Sequence, residues 1–228
     1  MKLYIGNKNY SSWSLRPWLL MTQQGIPFTE VPLRLDFSEG SAFKRRLAEL
    51  GTAGKVPVLV DDDGFAVWDT LAIAETVAER FPGRGVWPAD AKARARARSY
   101  CAEMHSGFGA LRNHCPMNLE AALGEVGARL WREHEDLRSD VTRVERLWAE
   151  ALQASGGPFL FGAFSAADAF FAPVCTRLRT YELPIGDVAQ AYVERVLSLP
   201  AFRAWQTAAL GEHDFLDFDE PYRSGPAR

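Results

Sequence analysis

Tyr10-Ser11-Ser12-Trp13-Ser14-Leu15-Arg16-Pro17 places three serine hydroxyls within four residues, where a strand-like apolar run gives way to a helical pattern. A loop entering a helix aims the free N–H groups of the first turn, and the positive end of the helix dipole, at whatever lies in front of it. That suits an anion, a thiolate included. A plain helix cap by Ser12 or Ser14 accounts for the same residues. Val56-Pro57 is a second candidate. A cis bond there would turn the backbone groups of Val56 outward to pair with an extended peptide, whereas a trans proline would simply open a strand. Asp69-Thr70 is the third, placed to grip a carboxylate by backbone N–H and hydroxyl or to cap a helix.

Short elements must position these residues. Lys2 to Gly6 reads as a strand and Ser14 to Gln24 as a helix that Gly25 stops, with Pro17 tolerated in its first turn. Phe28 to Leu33 reads as a strand whose Pro32 marks an edge or bulge. Ser41 to Leu50 is helical. Val56 to Val60 and Phe65 to Trp68 flank an Asp-Gly turn, a strong hairpin signal, and Asp69 caps a helix from Thr70 to Arg80. The order β-α-β-α-β-β-α predicts a mixed four-stranded sheet. Beyond it, Asp90 to about Leu119, Gly124 to Ser155, Ser165 to Tyr181, Asp187 to Leu197 and Ala201 to Leu210 have helical pattern. The expected organisation is an α/β domain over 1–82, a linker over 83–88, and an all-helical domain with a C-terminal tail over 89–228.

Composition narrows the classes. The chain has 228 residues, 47% hydrophobic and 24% charged, with a formal net charge of −3. This is globular composition and argues against a nucleic-acid partner. The start turns polar after one short apolar run, and no run approaches the ~18 apolar residues of a membrane span, so the expectation is a cytoplasmic protein with no membrane partner. The three cysteines, Cys101, Cys115 and Cys175, are too sparse for a disulfide scaffold. None precedes residue 101, so redox chemistry by the chain's own thiol has no cysteine at the first helix. Gly-x-Ser-x-Gly is absent, and Gly51-Thr52-Ala53-Gly54-Lys55 has the wrong spacing for a phosphate loop. Cys101 and His105 share a helix face without the four ligands of a structural zinc, and His134-Glu135 lacks a second histidine four residues on. No metal is expected. Asp61-Asp62-Asp63 reads as a solvated turn, and Lys92, Arg94, Arg96 and Arg98 as a solvated or subunit-facing helix surface.

Four segments together resemble the cytosolic glutathione transferase family over residues 1 to 210. They are Ser11 to Arg16, Gly54-Lys55-Val56-Pro57-Val58-Leu59, Asp69-Thr70, and Ser165-Ala166-Ala167-Asp168. The resemblance is to a bacterial, serine-type form with zeta-like and beta-like features. It implies a thioredoxin-like domain that binds glutathione as co-substrate, followed by an all-α domain. By position it makes Ser11, with Ser12 second, the catalytic residue that stabilises the glutathione thiolate. It makes Lys55, Val56, Asp69 and Thr70 the glutathione contacts. The segment from Glu103 to Leu111 is similar to the beta-class stretch whose histidine faces the thiol, which puts Met104, His105 and Phe108 in the second-substrate pocket. Helical core packing is the competing role for at least two of Met104, Phe108 and Leu111, and plain helix packing or exposure for His105. The implied activity is transfer of glutathione to a small hydrophobic electrophile by a homodimer paired near the start of the basic helix. The Ser-Ser loop also resembles zeta-type members, with Trp13 in place of their cysteine. That leaves a maleylacetoacetate-type cis–trans isomerase as an alternative, beside a non-catalytic glutathione- or protein-binding member. Where the family usually has Glu-Ser, this chain has Asp69-Thr70.

Two further features are expected to serve the fold. Ser165 and Asp168 have the spacing of a capping box. The stretch from Gly211 to Glu220 interleaves acids with aromatics and is expected to dock on the body.

Overall fold

The computed structural model describes residues 1–225. Strand β1 (Lys2–Ile5) is central, and parallel to it on the edge lies β2 (Thr29–Pro32). On its other side are antiparallel β3 (Val58–Val60) and then β4 (Ala66–Val67), giving the order β2-β1-β3-β4. The expected mixed sheet is present, with Pro32 ending an edge strand, where a missing N–H costs least. Alternation along the strands sorts the two faces. Leu3, Ile5 and Leu59 enter the main core with helices α1 (Ser12–Gln23) and α3 (Thr70–Arg80). Tyr4, Val58 and Val60 face Phe43 and Leu47 of α2 (Ala42–Glu49).

Helix α1 begins at Ser12, so Pro17 lies inside the helix and not in its first turn. A proline there removes the N–H that would bond to the carbonyl four residues back, Trp13. The Thr70 hydroxyl donates to that carbonyl instead, at 3.3 Å. The break in the helix ladder thus becomes a tie between α1 and α3.

The remaining helices are α4 (Ala91–Ser106), α5 (Gly109–His114), α6 (Gly124–Glu133), α7 (Glu135–Ser155), α8 (Ala166–Thr180), α9 (Asp187–Leu197) and α10 (Pro200–Leu210). Two segments that read as continuous are interrupted. Between α4 and α5, a Cβ on Gly107 would stand 2.8 Å from the Glu103 carbonyl, and Phe108 follows in the left-handed region at φ 55°. Between α6 and α7, His134 adopts an extended conformation. Residues 82–88 are not a free tether either. Val86 and Trp87 are buried, and the Val86 carbonyl accepts from Ala166 N–H at 2.8 Å.

Helix α8 is the buried axis on which α1, α4 and α9 pack. Its capping box is formed as expected. Asp168, fully buried, accepts from Leu160 N–H (3.0 Å), Ser165 N–H (2.9 Å), Ser165 Oγ (3.2 Å) and Tyr192 OH (2.9 Å). Burial pushes its carboxyl up to about 6, against the pull of these four donors. The tail docks as well. Glu212 accepts from Lys8 N–H, Asp214 pairs with Arg34, and Glu220 accepts from Tyr10 OH (2.7 Å) and Asn118 Nδ2 (2.8 Å).

Candidate active site

The loop from Gly6 to Ser11 folds tightly back on β1. A Cβ on Gly6 would lie 2.6 Å from Leu35 Cδ2 and 3.1 Å from Ser11 Cβ, so the glycine permits this approach. Its N–H donates to Ser14 Oγ at 3.1 Å, and Ser14 Oγ is 2.7 Å from Ser11 Oγ. Ser11 is the N-cap residue of α1, yet its side chain makes no cap bond. The hydroxyl is therefore held by Ser14 and not spent on the helix.

Ser11 and Ser12 line a cavity of about 390 Å³ together with Arg112, Arg177, Phe218 and Asp219. A second cavity of about 430 Å³ is lined by Pro57, Trp68, Asp69, Thr70 and His105. Trp13, Lys55, Val56 and Arg112 border both, making one two-chambered cleft between the sheet half and the helical half. The Val56–Pro57 peptide is cis, as is Trp68–Asp69.

Asp69 has two engagements. One carboxylate oxygen caps α3 by accepting from Leu71 N–H at 3.1 Å, and the other lies 3.2 Å from His105 Nε2. The His105 ring rests 5.0 Å from that of Trp13, and its Nδ1 is buried without a partner. His105 therefore borders the Asp69–Thr70 chamber and not the chamber of Ser11. Met104 is fully buried and Phe108 packs on Phe171; both belong to the core and line neither chamber. The resemblance places them in the second-substrate pocket; the structure packs them in the interior instead. Lys55 is exposed at the rim. With the Thr70 hydroxyl directed at Trp13, the contact Thr70 can offer a carboxylate is its backbone N–H.

Sequence reasoning assigns no role to the cations in the cleft wall, Arg112 and Arg177, or behind it, Arg16. Arg16 is buried, stacks on Trp13 at 4.1 Å, and donates to the carbonyls of Phe170 (3.0 Å) and Ser12 (2.8 Å). Arg177, also buried, donates to the carbonyls of Cys115 (2.8 Å) and Pro173 (3.1 Å). Burial, reinforced by Arg112, lowers the Arg177 guanidinium to about 10, still charged at neutral pH. Among the described residues no carboxylate lies within ion-pair distance of Arg16, Arg112 or Arg177. A charged residue inside the otherwise apolar α8 pattern is the signal that was available for Arg177. The nearest acid in the Ser11 chamber is Asp219, whose carboxyl burial and Glu220 together raise to about 6 while Arg177 opposes. All three cysteines are buried. Burial pushes the Cys115 thiol up to about 12 and holds Cys101 and Cys175 well above the usual range, so none supplies a ready thiolate.

A thioredoxin-like sheet half joined to a helical half, with a hydroxyl-lined cleft between them, is the architecture of the glutathione transferases. The chain belongs to that family: the family model for the glutathione S-transferase N-terminal domain matches residues 10–80, and that for the C-terminal domain matches residues 110–208. It is 28% identical over 205 residues to a probable maleylacetoacetate isomerase 2 of Drosophila melanogaster, covering 89% of this chain and 86% of that one. It is 25% identical to the maleylacetoacetate isomerase of Rattus norvegicus, covering 88% and 89%. A glutathione transferase homologue from Burkholderia with bound glutathione superposes with a TM-score of 0.70 at 22% identity, over 92% of this chain and 98% of that one. A bacterial zeta-class maleyl pyruvate isomerase gives 0.67 at 22% identity, again over 92% and 98%. Among the described residues no helix is long and apolar enough to cross a membrane.

Proposed function

We propose that the chain is a glutathione-dependent enzyme in which Ser11, backed by Ser12 and the N-terminus of α1, stabilises the glutathione thiolate for attack on an electrophilic carbon. The observation that carries this reading is the Ser11 hydroxyl, held by Ser14 at the opening of α1 inside the cleft and left free of any cap bond. Glutathione lies along the Asp69 chamber. The Val56 backbone pairs with its cysteinyl unit, Asp69 takes the γ-glutamyl ammonium, Thr70 N–H the γ-glutamyl carboxylate, and Lys55 the glycyl carboxylate. The electrophile occupies the Ser11 chamber.

The arginines bear on which electrophile. A purely hydrophobic substrate leaves Arg112 and Arg177 with Asp219 as the one acid of the chamber, beside Phe37, Phe43 and Phe218. A substrate carrying carboxylates supplies the further negative charge for two guanidinium groups, and this favours the isomerase reading over aryl transfer. There the thiolate adds to a cis double bond, the single bond so formed rotates, and the thiolate leaves again. The relatives named as maleylacetoacetate isomerases support the same reading.

The test begins with retention on immobilised glutathione, followed by turnover of an aryl halide, a hydroperoxide and maleylacetoacetate. The expected result is retention and turnover of the diacid, with Arg177→Met raising KM for the diacid and leaving that for glutathione unchanged. A chain that glutathione resin does not hold overturns the whole reading. Turnover of the aryl halide without the diacid overturns the anionic substrate alone.

Asp219 adds a pH signature. A carboxyl raised to about 6 is ionised at neutral pH and opposes an anionic substrate, and it loses that charge as the pH falls through 6. KM for the diacid should therefore fall between pH 7 and 5, by about five- to tenfold for one like charge removed at several ångströms in a partly wet cleft. Asp219→Asn should give the lower KM at both ends. A native KM that does not change over this range would show that Asp219 does not face the bound substrate.

A further inference from the structure

We propose that His114, His134 and Asp136 form a binding site for a divalent transition-metal ion of the zinc, nickel and copper class. The three residues come from separate places that the helix breaks bring together. His114 ends α5, His134 is the extended residue between α6 and α7, and Asp136 lies in the first turn of α7. One ligand atom from each lies within 4.8 Å of the others, and His114 Nε2 is 3.8 Å from Asp136 Oδ2. A tetrahedral ion with bonds of about 2.0–2.1 Å sets its ligands roughly 3.3 Å apart, so closure asks for rotamer adjustments of about an ångström.

Placement of the ligand atoms favours a metal over a simple ion pair, because three of them converge where a pair needs two. The two imidazoles stack with centroids 3.8 Å apart and planes 28° from parallel. A metal ion uses the lone pairs of both neutral rings together with the carboxylate. Asp136 Oδ1 already accepts from Leu137 N–H at 2.9 Å, leaving Oδ2 toward His114.

The backbone that carries the ligands is fixed. Tyr222 OH donates to the His114 carbonyl at 2.7 Å, Leu111 N–H donates to Asp140 Oδ2 at 2.9 Å and so pins α5 to α7, and His134 N–H bonds to Leu130 O at 3.0 Å. Two imidazoles and one carboxylate select borderline transition ions over magnesium or calcium. Three protein ligands leave room for water, so the ion is exchangeable from solvent. Residues twenty apart on different helices make no sequence motif, which is why His134 read as a lone histidine.

The full chain, stripped with chelator and free of glutathione, is titrated with Zn²⁺ by calorimetry and with Co²⁺ by visible absorption. The expected result is one equivalent of zinc and a Co²⁺ spectrum of low symmetry. His114→Ala and Asp136→Asn should each weaken zinc at least about tenfold, and the His114→Ala/His134→Ala double variant should abolish it. His213→Ala serves as control and should leave binding unchanged. Native protein that takes up no zinc and gives no Co²⁺ band at micromolar concentration overturns the site. So does a double variant that binds zinc as the native chain does.

Discussion

Ser11→Ala is expected to raise the thiol pKa of bound glutathione by about 1–2 units, and to lower kcat/KM at neutral pH by about ten- to hundredfold. A free thiol has a pKa near ~8.5, and the thiolate is the attacking form. A hydrogen bond to a charged group is worth about 1.5–3 kcal/mol, and each pKa unit corresponds to about 1.4 kcal/mol. The α1 N-terminus, worth about 0.3–1 kcal/mol, survives the substitution and leaves a residual shift. Ser14 sharpens the test. The Ser11 hydroxyl donates to Ser14 Oγ, which also accepts the Gly6 N–H; when sulfur takes the Ser11 proton, Ser14 can reverse the bond and donate to Ser11. Ser14→Ala should then produce a smaller loss in the same direction, whereas Ser12→Ala should produce the larger loss if Ser12 is the donor. Thiolate absorbance against pH, read beside turnover, separates these outcomes. If Ser11→Ala leaves both unchanged, the proposed mechanism fails. No thiol of the chain can substitute, because all three are buried and protonated.

Asp168→Ala should be the most damaging single change to stability. It strands Leu160 N–H, Ser165 N–H and the Tyr192 hydroxyl in a fully buried site. Each orphaned group costs about 1–3 kcal/mol, and partial relaxation brings the expected total to about 3–5 kcal/mol. Against a typical domain stability of about 5–15 kcal/mol, that leaves a chain that melts early or accumulates insoluble. Denaturant unfolding followed by circular dichroism measures it. A loss under about 1 kcal/mol would mean that the start of α8 does not depend on this carboxylate. Asp168 has no part in the cleft, so any folded fraction should keep the KM of the native chain.

Features carried by neighbours in the chain were legible before the fold was known. The Asp-Gly hairpin, the Asp69 cap and the Ser165–Asp168 box each depend on residues a few positions apart, and each is present. The order of strands and helices followed from periodicity for the same reason. What escaped depends on how helices dock. Arg112 and Arg177 meet in one chamber only because the chain just past α5 is brought to α8, where Arg177 donates to the Cys115 carbonyl. The resemblance of one short segment places Met104 and Phe108 in a pocket, but a segment cannot distinguish a packed interior from a cleft wall. The helix breaks at Gly107-Phe108 and His134 are conformational choices inside segments whose apolar spacing continues across them. The second role of Thr70 was hidden similarly, because it arises from the carbonyl that Pro17 leaves free on another helix.

The bond between Tyr10 and Glu220 spans 210 positions of the chain, and the neighbouring Phe218 and Asp219 wall the chamber of Ser11. During synthesis the strand half leaves the ribosome first and can assemble its sheet, yet its reacting chamber stays open on one side. That wall arrives only after every helix from α4 to α10 has been made. A message cut short between α10 and residue 218 would yield a chain with Ser11, Arg112 and Arg177 in place and one wall of the chamber missing.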